Sequence, residues 1–190
     1  MRRRLSLSYF VGVFFLWLLV LVFPLVAHHK HPNAQSTQVV SYTKQEFVQK
    51  IAPTAVELGK AYGVRPSFII AEASLESQFG QTLLAAKYYN LFGSLAQSGD
   101  AVVVLSTGAA NSSQTQRYHR YSDWKQSLYD YMEQVKAGRV GTSKSYQTMV
   151  ANKNTKTLVK LLAEEGFSSS KTYAKDMVNI VDTYDLTRYD

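Results

Sequence analysis

Residues 5–27 carry no charge and are rich in Leu, Val and Phe. Few water-soluble folds accommodate such a run. As a helix rising ~1.5 Å per residue it reaches roughly 34 Å, enough for a ~30 Å hydrocarbon core. Arg2, Arg3 and Arg4 precede it, and basic flanks of this kind stay on the cytoplasmic side. The expected layout is a basic tail over 1–4, a transmembrane signal-anchor over 5–27, and everything later on the outer side of the cell membrane. The alternative is secretion. Leu25, Val26 and Ala27 bear only a weak resemblance to a small-residue cleavage site near Ala27, and the apolar core of a signal peptide usually runs only ~7–15 residues.

The remainder of the chain must fold without disulfides or a catalytic thiolate, because none of the 190 residues is a cysteine. About 150 residues suffice for one packed core. Of the 21 Lys and Arg, three precede the run and all 14 acids come after it, leaving 18 bases against 14 acids. This mild basic excess suits an anionic surface such as a cell-wall polymer or lipid headgroups. No nucleic-acid-binding motif is present, and none is expected outside a membrane.

Residues 28–42 are polar and read as a flexible tether. His28, His29 and His31 lie there. Histidines in a solvated stretch need no metal, and no metal or cofactor is expected. The folded domain is predicted over 43–190. Thr43-Lys44-Gln45-Glu46 is a capping-box pattern, and Phe47, Ile51 and Ala55 come next at helical spacing. Pro53 is expected to kink or split this helix, and Gly59 and Gly63 to mark its end. A second helix is predicted from Pro66 to about Gln78, with Gly80 as its cap, and a short one over 81–88. Residues 101–105 are apolar and mostly β-branched, and 116–121 alternate polar and aromatic side chains. These predict a β-hairpin. Helical spacing resumes with Trp124, Leu128, Tyr131, Met132 and Val135, and further helices are predicted over 145–151, 155–163 and 171–184. The class is α+β, mostly helical, behind one N-terminal transmembrane helix.

Chemistry points to "ASLESQFG". Glu76 lies in the last turn before Gly80, where the helix dipole disfavours a carboxylate, and Leu75, Phe79 and the aromatic residues over 88–92 surround it with apolar matter. Both effects keep a carboxyl protonated, which is what a glycosidase needs to protonate a leaving oxygen. Glu72 shares the same helix face one turn earlier. Neighbours on one face point the same way, so the two do not flank a glycosidic bond from opposite sides. An exposed, solvated helix face is the plain alternative for both. His119 invites a Ser-His-Asp arrangement, but no G-x-S-x-G elbow exists.

"ASLESQFG", with "YYNLFG" after a short helix, resembles glycoside hydrolase family 73, the bacterial peptidoglycan N-acetylglucosaminidases. "RYHRYSDWKQSLYDY" and "GFSSSKTYAKDMVNIVDTYDL" are similar to two later stretches of that family, so the likeness spans about 43–190. It implies a lysozyme-like domain with a small β-hairpin lobe across a substrate groove. Glu76 falls on the family's general acid. Glu72 falls where the family usually has Gln, a departure that sets it apart from the catalyst. Asn90 and Phe92 match the turn shaping the groove floor, and Tyr173 matches a tyrosine thought to assist near the scissile bond. Tyr118 and Tyr121 flank a further motif, where stacking on sugar rings and core packing are both open. The family's hairpin often carries a Glu, whereas "LSTGAANSS" has no acid. Asp100, at the hairpin's start, is then the candidate second carboxylate. The other route uses the substrate's own 2-acetamido group as nucleophile, with Tyr173 orienting it.

The apolar run and the resemblance together imply a membrane-anchored, outward-facing peptidoglycan hydrolase, cleaving after N-acetylglucosamine in glycan strands. The alternatives are a muramidase, an amidase, or a silent glycan-binding domain.

Overall fold

The structure is a computed structural model that describes residues 11–14, 17, 31–107 and 114–190. By its internal contacts the chain divides into Met1–His31 and Pro32–Asp190. In the first unit, residues 11–14 and 17 are helical. The rest of the expected 5–27 span, and His28 and His29, lie outside the described residues. Among the described residues no helix is long and apolar enough to cross a membrane.

In the second unit, the capping box forms as predicted. Thr43 Oγ1 accepts the amide of Glu46 at 3.1 Å, and Glu46 Oε2 accepts the amide of Thr43 at 2.7 Å. These bonds start α1 (Lys44–Tyr62), which passes through Pro53 as one helix. Proline deletes one backbone bond there, but Phe47, Ile51, Ala55 and Leu58 hold both halves against the core, and that burial outweighs the loss. Gly63, at φ +71°, closes the helix. Gly59 instead lies inside it, where a Cβ would meet Pro66 at 2.7 Å. Its bare backbone lets α2 (Pro66–Glu76) start in direct contact with α1.

Phe68, Ile69, Ile70, Ala71 and Ala73 are buried on every side of α2, as expected of a central helix. It ends at Glu76, earlier than predicted, because Gln78, Phe79 and Gly80 all take positive φ. Ser77 Oγ accepts the Gly80 amide at 2.7 Å, and the Phe79 amide bonds Ser74 O at 2.8 Å, so the reversal is held from within. The chain then forms α3 (Leu83–Tyr88). Strands β1 (Val102–Ser106) and β2 (Thr115–His119) pair antiparallel, with Val102 opposite His119. Asp123 caps α4 (Trp124–Lys136) by accepting the Gln126 amide at 2.9 Å. The chain continues through α5 (Ser145–Ala151), α6 (Thr155–Glu164), α7 (Tyr173–Thr183) and a 3-10 turn (Leu186–Tyr189). Helices α1, α6 and α7 pack around α2.

The stretch expected to be a flexible tether over 28–42 differs from that expectation from Pro32 onward. The Ser106 amide bonds Pro32 O at 3.0 Å, the Ala34 amide bonds Ser106 O at 3.1 Å, and the Leu83 amide bonds Ser36 O at 2.8 Å. Ala34 is buried with Leu83, Leu84 and Leu105. Backbone bonds, which need no particular side chains, lace this polar segment between β1 and the start of α3.

Candidate active site

The most buried helix carries the acids. Glu76, its last residue, opens into a groove of about 510 Å³ and also lines a smaller cavity of about 290 Å³ with Gln78, Ser168, Tyr173 and Asp176. Much of its side chain meets solvent, yet enough protein surrounds the carboxyl that burial raises its pKa above the ordinary value of 4.5. Its place at the carbonyl end of α2 acts in the same direction.

Glu72 is 4% exposed. Tyr173 donates to its Oε2 at 2.8 Å, and the hydroxyl of Tyr131 lies 3.4 Å from its Oε1. Burial foremost, and then the charge of Glu76, push its carboxyl up to about 8; the two hydroxyls pull the other way and lose. Near neutral pH, Glu72 is therefore a neutral acid in the wall of the groove. Tyr131 stacks on Phe92, ring centroids 3.8 Å apart and planes at 10°, and both rings line the groove. Gly93, at φ +69°, turns the chain away beside them. Arg139 and Phe167 also line the groove.

Three residues matched by resemblance serve the scaffold. Asn90 is buried; its Nδ2 donates to Ser94 O at 2.9 Å and His119 O at 2.8 Å, and its Oδ1 accepts the Ser94 amide at 3.0 Å. It clamps the turn to the end of β2. Tyr121 is buried and donates its hydroxyl to Asp130, so packing, not sugar stacking, occupies it. Tyr118 packs on the small cluster around Leu105 and does not line the groove. Asp100 accepts the Gln97 amide at 2.7 Å and lies 3.3 Å from His119 Nδ1. It lines neither cavity at Glu76. Tyr173 reaches the smaller cavity with its hydroxyl committed to Glu72. Tyr131 and Arg139 were not expected in the site. Tyr131 shares the helical period of Trp124 and Leu128, which reads as core.

Chemically, the groove offers one solvent-reaching carboxyl of raised pKa, a second carboxyl held neutral by burial, aromatic side chains and a cation. Glu72 and Glu76 are the carboxylates among its described lining residues. Among the described residues no cluster of three or more His, Cys, Asp or Glu forms a metal site.

The pattern of the mannosyl-glycoprotein endo-beta-N-acetylglucosaminidase family matches residues 52–186. The exo-glucosaminidase LytG of Bacillus subtilis is 28% identical over 194 aligned residues, covering all of this chain and 68% of LytG. A probable N-acetylmuramidase of Lactococcus lactis subsp. cremoris is 28% identical across 80% of this chain, which spans only 36% of that protein's length. The catalytic domain of the autolysin Auto from Listeria monocytogenes superposes with a TM-score of 0.69 at 24% identity, covering both chains entirely. Mostly helical with one two-stranded antiparallel sheet among the described residues, the chain thus has the lysozyme-like fold that the resemblance implies.

Proposed function

Because the chain belongs to the mannosyl-glycoprotein endo-beta-N-acetylglucosaminidase family, and is thus a glycoside hydrolase, we propose that it cleaves the bond after N-acetylglucosamine in peptidoglycan strands, with Glu76 as general acid. The observation that carries this reading is the Glu76 carboxyl, raised in pKa by burial and open to a groove of about 510 Å³. Glu76 donates its proton to the leaving glycosidic oxygen as the bond to the anomeric carbon breaks. A retaining pair needs a second carboxylate ~5–5.5 Å away across the bond. Glu72 shares the helix of Glu76, and Asp100 is engaged with Gln97 and His119. These placements favour the substrate's 2-acetamido oxygen as nucleophile, with Phe92 supplying an apolar face for a ring. After departure of the aglycone, water opens the cyclic intermediate and Glu76, now a carboxylate, takes the proton back.

The charge-free run over 5–27 supports a membrane-anchored enzyme facing the cell wall. Glycan strands are then its partner, presented near the membrane surface. The LytG and muramidase relatives carry names for different bonds, so the products decide. Mass spectrometry of purified peptidoglycan digested with the enzyme should find new reducing-end N-acetylglucosamine. Reducing-end muramic acid would make the enzyme a muramidase, and intact glycan with released peptides an amidase.

A further inference from the structure

The Glu72 cluster has a donor count that changes with one proton. An ionised carboxylate only accepts hydrogen bonds, so the hydroxyls of Tyr173 and Tyr131 both turn inward to it. A neutral carboxyl has one carbonyl oxygen and one O–H. Tyr173, at 2.8 Å, continues to donate to the carbonyl oxygen. The O–H then lies on the longer contact, 3.4 Å, and is directed at the oxygen of Tyr131. Once that oxygen accepts, the hydrogen of Tyr131 no longer has Glu72 to go to. Tyr131 lines the groove, and its ring is fixed against Phe92.

We infer that Glu72 is a positioning residue: in its neutral form it reverses the hydrogen bond shared with Tyr131 and frees that hydroxyl to donate to a carbonyl or hydroxyl oxygen of a sugar in the groove. The inference rests on the glycan reading of this groove. Few other groups bear on the switch. From α7 Glu72 faces Tyr173, from α4 Tyr131, and from its own helix Glu76; Arg139 is the cation of the groove wall. The ordinary fate of a buried carboxyl, burial plus repulsion by Glu76, keeps Glu72 neutral up to about 8. A glutamine has the same pattern as the neutral acid. Its carbonyl accepts from Tyr173 and its amide donates to Tyr131, so Glu72→Gln holds the switch in the donating state at every pH.

The test removes the competing titration of Glu76. Affinity of full-length Glu76→Gln, in detergent, for a β-1,4-linked tetramer of N-acetylglucosamine is measured by calorimetry from about pH 5.5 to about pH 9.5, which brackets a buried carboxyl. Without the charge of Glu76, the midpoint falls below that of the native chain. Affinity should drop about tenfold as pH rises through that midpoint, the worth of one hydrogen bond. Glu72→Gln added to Glu76→Gln should bind at the low-pH affinity throughout. Tyr131→Phe added to Glu76→Gln should bind at the high-pH affinity throughout, with a melting curve matching its parent. Two outcomes overturn the inference: binding by Glu76→Gln that is independent of pH, or a Glu72→Gln combination that titrates like its parent. Absence of binding by every variant at every pH instead overturns the glycan reading, and the inference with it.

Discussion

The groove and the neighbouring hairpin differ in what their titratable groups are free to do. On the helical side, α2 holds Glu76 open to the cavity and Glu72 neutral behind it, with tyrosines from α4 and α7 attached. At the hairpin, the polar groups are held by one another: Asp100 lies 3.3 Å from His119, and His119 stacks on Tyr121 with ring centroids 4.1 Å apart. One side is built to exchange protons and the other to keep its shape. A two-carboxylate glycosidase would need a reactive acid on each, so this asymmetry is what directs the mechanism toward participation by the substrate.

The comparison breaks first at Glu76. Glu76→Gln should fold normally and lose cleavage by ~10²–10⁴-fold, because a glutamine amide does not protonate the leaving oxygen. Turnover on a defined glycan strand, with circular dichroism as the folding control, checks it.

Glu72 gives the next largest effect, on stability. Its carboxyl is raised in the folded state from 4.5 to about 8, so the native fold is undisturbed below the unfolded pKa and loses stability as pH rises from there toward 8. At about 1.4 kcal/mol per pH unit the loss has an upper bound near 5 kcal/mol. Glu72→Gln should therefore melt close to the native chain near pH 4.5 and increasingly above it toward pH 8. Equal melting temperatures across that range would show that Glu72 titrates normally.

On the hairpin side, Asn90→Ala should lower stability by ~2–4 kcal/mol, since it orphans the Ser94 amide and the carbonyls of Ser94 and His119. Urea unfolding measures it. Smallest is Asp100→Asn, expected to change turnover less than about twofold, because the side-chain oxygen of an Asn still accepts the Gln97 amide. Tyr173→Phe should cost more turnover than that, because it removes a partner of Glu72. If Asp100→Asn alone abolishes turnover in a folded chain, the hairpin does supply a reactive carboxylate and the asymmetry is false.

Helix starts were legible where a side chain writes them: Thr43 with Glu46, and Asp123 with Gln126. The helix that carries Glu76 was legible because Pro66 at its start and Gly80 beyond its end are local signals. The partners of Glu72 were not, since Tyr131 and Tyr173 arrive from 59 and 101 residues away and look like ordinary core residues on their own helices. Pro53 misleads for the opposite reason: one lost backbone bond is a strong local signal, overruled by long-range packing. The lacing of Pro32 to Ser36 is written in main-chain amides, which every sequence has.

That lacing also sets a load path. Tension applied ahead of Pro32 is delivered to Ser106 at the end of β1 and to the Leu83 and Leu84 amides at the start of α3. It does not enter through the buried central helix that carries the acids. The end of β1 and the start of α3 are therefore the first parts to feel a pull, and because Gln35 of the same segment lines the smaller cavity beside Glu76, a pull strong enough to strip the lacing also opens that cavity.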